Sequence, residues 1–124
     1  MSGWWPLKYE LDCSRILSWF NRHHQKALMC LPIVEKKDSP MIFRLWKEGD
    51  ELVKRGIFNV LEPKNGQLKA MPEIVLVPLM MFDEKCHRLG YGGGYYDRTI
   101  EEMKIKNAPF VTIGLAFDFM NYDK

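Results

Sequence analysis

The 124-residue sequence predicts an α/β fold, in which a largely parallel sheet carries helices on both faces. Two observations support this class. Short, continuous apolar runs, typical of strands buried on both faces, alternate along the chain with stretches of helical periodicity. A glycine-rich stretch also follows the strongest of these runs, where ligand loops lie in parallel sheets. No repeat or linker interrupts the sequence, so residues 1–124 are expected to form a single domain.

The first quarter of the chain predicts a strand end and a helix. Trp4-Trp5-Pro6-Leu7 is typical of a strand that runs into a loop. The helix is predicted to begin at Asp12, an acidic N-cap, and to end near Gln25. Its apolar residues recur at helical spacing, namely Ile16, Leu17, Phe20 and Ala27.

Three apolar runs predict the next strands, at 27–34, 41–46 and 74–79. The first and third are continuous except for one proline each, Pro32 and Pro78, as expected for buried strands. The second alternates in polarity. The segments 35–40, 47–50 and 63–72 are rich in Gly, Pro, Asp and Asn and are predicted as loops.

The last third of the chain predicts a helix followed by a strand. From Gly94 to about Lys106, Tyr96, Ile100 and Met103 fall on one helical face. Phe110 to Phe117 is predicted as another buried strand.

Composition excludes several classes of function. Eighteen basic and sixteen acidic residues give a net charge of +2, too balanced for a nucleic-acid footprint. No apolar stretch could span a bilayer and no signal peptide is recognisable, so we expect neither nucleic acid nor membrane as partner. Three scattered cysteines favour a cytoplasmic setting. Cys86-His87 could supply two metal ligands, but ordinary loop residues are the favoured interpretation.

The stretch from Arg88 to Arg98 is the strongest candidate for a ligand site. Four glycines within five positions allow positive φ angles and let backbone N–H groups approach an anion, while the following helix start adds partial positive charge. The two arginines can pair with phosphate oxygens. The spacing matches neither a P-loop nor the dinucleotide fingerprint, so these motifs identify no nucleotide family.

Three residues that follow the glycines have two interpretations each. Asp97 could bind Mg²⁺ together with substrate phosphates, or it could only offset the helix dipole. Tyr95 and Tyr96 could line a pocket or pack in the core.

Together with other segments, this loop resembles the signature of the 5-formyltetrahydrofolate cyclo-ligase family, also called 5,10-methenyltetrahydrofolate synthetases. The matching segments stand in family order over nearly the whole chain. They are Trp5-Pro6, Glu10-Leu11-Asp12, Leu31-Pro32-Ile33-Val34, Phe43-Arg44 to Gly49-Asp50, Phe58 to Pro63, Val77-Pro78-Leu79 and Phe82-Asp83.

The resemblance implies an ATP- and Mg²⁺-dependent ligase of folate one-carbon metabolism, with ATP and 5-formyltetrahydrofolate as its partners. It implies no catalytic nucleophile of the protein. The implied ATP-binding residues are Arg88, Leu89, Gly90, Tyr91, Gly92, Gly93, Gly94, Tyr95 and Tyr96. The implied substrate-binding residues are Trp5, Glu10, Phe58, Tyr91, Gly92, Gly93, Gly94 and Tyr95, and the implied metal ligand is Asp97.

Each substrate residue also has an alternative. Glu10 could be a solvated charge, and Trp5 and Phe58 could be core residues. Members of the family usually begin with a basic helix and the body of the first strand, and they continue with an Asp-containing segment and a final strand. None of these parts is recognisable here. The sequence is therefore expected to be truncated at both ends, with an incomplete sheet and self-association through exposed faces.

A nucleotide- or folate-binding fragment without turnover is the alternative function. A third interpretation, an RNA-binding loop, is disfavoured because the sequence lacks a basic surface.

Overall fold

The computed structural model describes residues 1–6, 10–55, 60–64, 68–90 and 92–123. Within these residues the chain forms two α-helices, nine strands and one short 3₁₀ turn at Asp118–Met120. The helices are α1 (Ser14–His23) and α2 (Tyr95–Ile105). The strands are β1 (Met29–Ile33), β2 (Ile42–Trp46), β3 (Leu52–Arg55), β4 (Val60–Pro63), β5 (Lys69–Ala70), β6 (Ile74–Pro78), β7 (Met81–Phe82), β8 (Arg88–Leu89) and β9 (Val111–Leu115).

The main sheet is joined through the residue Ser2. Ser2 forms parallel bridges to Cys30 of β1 and Val75 of β6, so it connects the antiparallel strands β5-β2-β1 to the parallel pair β6-β9. Backbone N–H groups of Ser2 and Leu76 complete the connection by donating to the oxygens of Ile74 and Ser2, at 2.7 and 2.9 Å. The α/β class is therefore confirmed. The neighbouring segments β1, Ser2, β6 and β9 are parallel, whereas β2 runs the opposite way.

Two apolar clusters cover the two faces of the sheet. Alternate residues of a strand point to opposite faces. Leu31 of β1 accordingly belongs to the cluster that contains Leu17 of α1, and Cys30 belongs to the cluster that contains Met103 of α2. The two helices thus lie on opposite faces, as predicted. No helix among the described residues is long and apolar enough to cross a bilayer.

Helix α1 lies close to the sheet because position 3 is a glycine. A Cβ atom at Gly3 would lie 2.6 Å from Cδ1 of Leu17, which is only 1% exposed. The thiol of Cys13 also contacts the backbone of Trp4, with Sγ 3.5 Å from its nitrogen and 3.3 Å from its oxygen. Trp4 and the residue that precedes α1 are therefore held in contact.

The element boundaries and one burial prediction differ from the sequence analysis. The N-cap of α1 is Cys13, although Asp12 still accepts a hydrogen bond from the N–H of Ser14 at 2.8 Å. The strand predicted at 110–117 forms at Val111–Leu115, but the prediction that it is buried is wrong: its first four residues are exposed. An apolar run predicts a strand, whereas burial depends on which elements cover it.

Truncation of Leu17 tests the packing of α1. Leu17→Ala is expected to lower the free energy of unfolding by about 2 to 5 kcal/mol, because it leaves a cavity beneath a fully buried side chain. Its neighbour Ile16 is 37% exposed, so Ile16→Ala should cost less than about 1 kcal/mol. Urea unfolding of both variants measures the difference, and equal costs would contradict the assigned face of the helix.

The three thiols are expected to differ in reactivity. Burial raises the pKa of Cys30 to about 11 and also raises the pKa of Cys13, while Cys86 is exposed. Since the thiolate is the reactive form, Ellman's reagent near pH 8 should modify Cys86 promptly and the other two only after unfolding. A Cys86→Ser variant should lose the prompt reaction. Rapid modification of two or more thiols in the folded protein would contradict the buried positions.

Candidate active site

The candidate site lies at one edge of the main sheet. Because β1, Ser2 and β6 are parallel, their carboxyl ends meet at this edge. The segment with Trp5 and Glu10 follows Ser2, the segment 34–41 follows β1, and the glycine-rich stretch follows β6. The fold therefore brings three separate parts of the sequence to one edge.

Arg88 connects the end of β6 to the start of α2. The hairpin β7–β8 pairs Phe82 with Arg88, and the Arg88 guanidinium reaches back to donate to the oxygen of Pro78 at 3.3 Å. It also donates to Oδ1 of Asp97 at 3.2 Å and lies 6.0 Å from the centre of the Tyr96 ring. Only 19% of the Arg88 side chain is exposed. Its contacts therefore hold the residue at the start of the loop in place.

Two glycines of the loop have backbone angles that favour glycine. Gly92 has φ +97° with open space at its Cβ position, and Gly94, the N-cap of α2, has φ +68°. Gly93 lies against the ring of Tyr95, where a Cβ atom would approach to 2.9 Å. The stretch thus has the backbone freedom that an anion-binding turn requires.

Arg98 and Tyr95 hold the loop against the segment that follows β1. Arg98 donates to the oxygen of Gly93 at 2.7 Å and lies 4.7 Å from the centre of the Tyr95 ring. The N–H of Asp38 donates to the Tyr95 hydroxyl at 3.2 Å, and the Asp38 carboxylate lies 4.0 Å from Arg98. Asp38 could not be recognised from the sequence, because residues 35–40 have the composition of an ordinary turn. Only the fold brings Asp38 to Tyr95.

The ring of Tyr96 lies beside Arg88, and its hydroxyl group is buried. Its oxygen is buried and has no hydrogen-bond partner within the described part of the chain. Burial raises the pKa of this hydroxyl, and the negative charge of Glu10 raises it further, against a smaller opposing effect of Arg88. The hydroxyl therefore stays protonated near neutral pH. Of the two interpretations of Tyr96, core packing is confirmed, since its ring packs on the second cluster. Its role in lining a pocket stays a prediction.

Trp5 and Glu10, two of the predicted substrate residues, are described by the structure. Trp5 is half-buried and packs edge-on against Trp46, with 6.1 Å between ring centres and 68° between ring planes. Glu10 is half-buried and lies within electrostatic range of Tyr96. Phe58 and Tyr91 lie outside the described residues.

Asp97 is the carboxylate available for a metal ion on the loop. Its side chain is 71% exposed at the start of α2 and is bonded to Arg88. No three His, Cys, Asp or Glu residues in the described ranges are grouped so that they could hold a metal ion. The arrangement fits Mg²⁺ that is held mainly by a nucleotide, because such ions bind through one or two carboxylates plus phosphates.

The fold and this edge define an α/β protein with a glycine-rich loop at the carboxyl ends of parallel strands. The model of the 5-formyltetrahydrofolate cyclo-ligase family matches residues 6–123, and the chain belongs to this family.

Relatives with known names agree with this assignment. The chain is similar to 5-formyltetrahydrofolate cyclo-ligase from Haemophilus influenzae, at 34% identity over 106 residues, which are 82% of this chain and 46% of the relative. The enzyme of the same name from Escherichia coli K12 is 33% identical over 89 residues, covering 68% of this chain and 47% of the relative. The chain thus spans about half the length of the curated relatives it matches.

Solved structures show the same fold. The NMR structure of 5,10-methenyltetrahydrofolate synthetase from Aquifex aeolicus matches with a TM-score of 0.65 at 25% identity, over 97% of this chain and 57% of that one. A 5,10-methenyltetrahydrofolate synthetase from Mycoplasma pneumoniae matches with a TM-score of 0.67 at 23% identity, over 99% and 62%.

Proposed function

We propose that the chain converts 5-formyltetrahydrofolate and ATP into 5,10-methenyltetrahydrofolate, ADP and phosphate in a Mg²⁺-dependent reaction. The two named relatives, from Haemophilus influenzae and Escherichia coli, are both called 5-formyltetrahydrofolate cyclo-ligase. The observation that carries the proposal is that two parts of the chain, the residues Trp5 and Glu10 and the glycine-rich loop, follow parallel segments of the sheet whose carboxyl ends lie at one edge. A nucleotide and a folate bound on these two parts would be neighbours.

The chemistry is activation of an amide by phosphorylation. The formyl oxygen attacks the γ-phosphorus of ATP and ADP leaves. N10 of the folate then attacks the formyl carbon and loses its proton to solvent, and the oxygen departs with the phosphate. Neither step needs a protein nucleophile, so positioning and charge stabilisation provide the acceleration. Mg²⁺ bound to the nucleotide would neutralise charge on the phosphates.

The residues of the site have separate roles in this proposal. The backbone from Gly92 to Gly94 surrounds phosphate oxygens, and Asp97 contacts the metal ion. The half-buried indole of Trp5 offers a flat apolar surface to the pterin. Glu10 is the carboxylate for the amino groups of the folate.

A spectrophotometric assay tests the proposal. The wild-type chain with 5-formyltetrahydrofolate, ATP and Mg²⁺ should show a rise in methenyltetrahydrofolate absorbance that requires all three. Binding of ATP or folate without turnover would support the alternative, a binding module of the same family. Absence of both turnover and binding would overturn both functions.

Two further expectations belong to this proposal. A cytoplasmic setting is supported by the three free thiols.

Self-association is supported by β9, where Val111 and Ile113 are 57% and 45% exposed on a strand without charged residues. Light scattering over a range of protein concentrations measures it, and a monomer throughout would overturn it.

A further inference from the structure

The arginines beside the glycine-rich loop are already paired with carboxylates. Arg88 donates to Asp97, and Arg98 lies 4.0 Å from Asp38. These four charges sum to zero. A triphosphate carries several negative charges, so the two pairs alone leave most of them unmatched.

Two lysines lie on the segment that is hydrogen-bonded to this loop. Lys36 and Lys37 are exposed, and neither has an ion-pair partner among the residues that the structure describes. Lys37 directly precedes Asp38, so their Cα atoms are about 3.8 Å apart. The Asp38 N–H in turn donates to the Tyr95 hydroxyl. The backbone of the two lysines is therefore held near the loop, because it is continuous with that of Asp38.

The segment has defined anchors on both sides of Asp38. It follows β1, whose carboxyl end lies at the site edge, and it ends where the N–H of Met41 donates to Oγ1 of Thr99 in α2 at 2.9 Å. Asp38 itself has φ +56°, which marks a tight turn. Glu35 is the one other carboxylate of this segment. With Asp38 beside Arg98, the two lysines and Glu35 carry a net charge of +1.

We infer that Lys36 and Lys37 bind the terminal phosphates of the nucleotide at the mouth of the glycine-rich loop. The inference rests on the proposed function and names the cations that this site uses. Lysine suits the task because its flexible ammonium group can follow a phosphate as the reaction proceeds. The alternative is that both lysines are ordinary solvated charges.

The test is ATP binding to the full chain, measured by calorimetry at several salt concentrations. Lys36→Gln/Lys37→Gln should weaken ATP binding about 10- to 100-fold and reduce its salt dependence, because hydrogen bonds to charged groups are lost. Lys36→Arg/Lys37→Arg should retain most of the affinity. The matched control is Lys26→Gln/Lys47→Gln, which removes the same charge from exposed residues at the opposite edge of the sheet.

The outcomes separate this inference from the proposed function. If wild type binds ATP and the Lys36/Lys37 variant binds it equally tightly, the inference is overturned and the proposed function stands. Equal weakening in the control variant would show a general effect of charge and also overturn it. A loss of affinity for 5-formyltetrahydrofolate alone would assign the lysines to the folate instead. If wild type binds no ATP, both the inference and the proposed function fail.

Discussion

Asp97→Asn is expected to reduce turnover by at least about 100-fold, since it removes the charge of the proposed metal ligand while changing the structure little. The asparagine oxygen can still accept the hydrogen bond that Arg88 donates to Asp97 at 3.2 Å. Binding of ATP without Mg²⁺ should be unchanged or slightly tighter, because one negative charge is lost. The absorbance assay and calorimetry with and without Mg²⁺ measure these two effects.

The control is Glu101→Gln in the same helix. Glu101 is an exposed carboxylate one turn beyond Asp97, and its replacement should leave turnover within about twofold. Activity of Asp97→Asn within the same range would remove the metal role. Asp97 would then only offset the helix dipole, and its loss would lower stability by roughly 0.3 to 1 kcal/mol.

Gly92→Val is expected to abolish most nucleotide affinity, at least about 30-fold, because a β-branched residue is strongly disfavoured at φ +97°. The backbone would have to leave the conformation that presents its N–H groups. We also expect a loss of about 1 to 3 kcal/mol in the free energy of unfolding. Calorimetric ATP binding and urea unfolding measure the two effects separately.

Gly49→Val is the matched control for this substitution. Gly49 has φ +94°, and neither it nor Gly92 has an atom within 4 Å of a built Cβ. Gly49 lies between β2 and β3, at the sheet edge opposite the site. Similar losses of stability with retained ATP affinity in Gly49→Val would assign the binding defect to the loop. Retained ATP affinity in Gly92→Val would contradict its role in the loop.

The elements with a strong pattern could be predicted from the sequence. The apolar run at 74–79 and the helical spacing after Gly94 gave β6 and α2 nearly at their observed bounds. The short strands β5, β7 and β8 could not be predicted, because two residues carry no periodicity. Their strand geometry comes from partners elsewhere in the chain, such as Phe43 opposite Ala70.

The candidate site could be predicted where its residues are consecutive. The glycines and Arg88 were found because their spacing indicates backbone freedom beside positive charge. Asp38 could not be found, since its link to Tyr95 spans 57 positions and depends on the turn after β1. The predicted roles of Phe58 and Tyr91 stay predictions, as do the ligand roles of the described residues.

The contact between Trp4 and Cys13, at the start of α1, has a consequence for ligand recognition. The thiol of Cys13 contacts the backbone of Trp4. Because Gly3 has no side chain, Leu17 of α1 packs directly against the sheet. Trp5 therefore directly follows an anchored residue, and Glu10 lies three positions before the other one, Cys13. A folate bound on this side, as proposed, would meet residues that are already positioned, which lowers the entropic cost of binding.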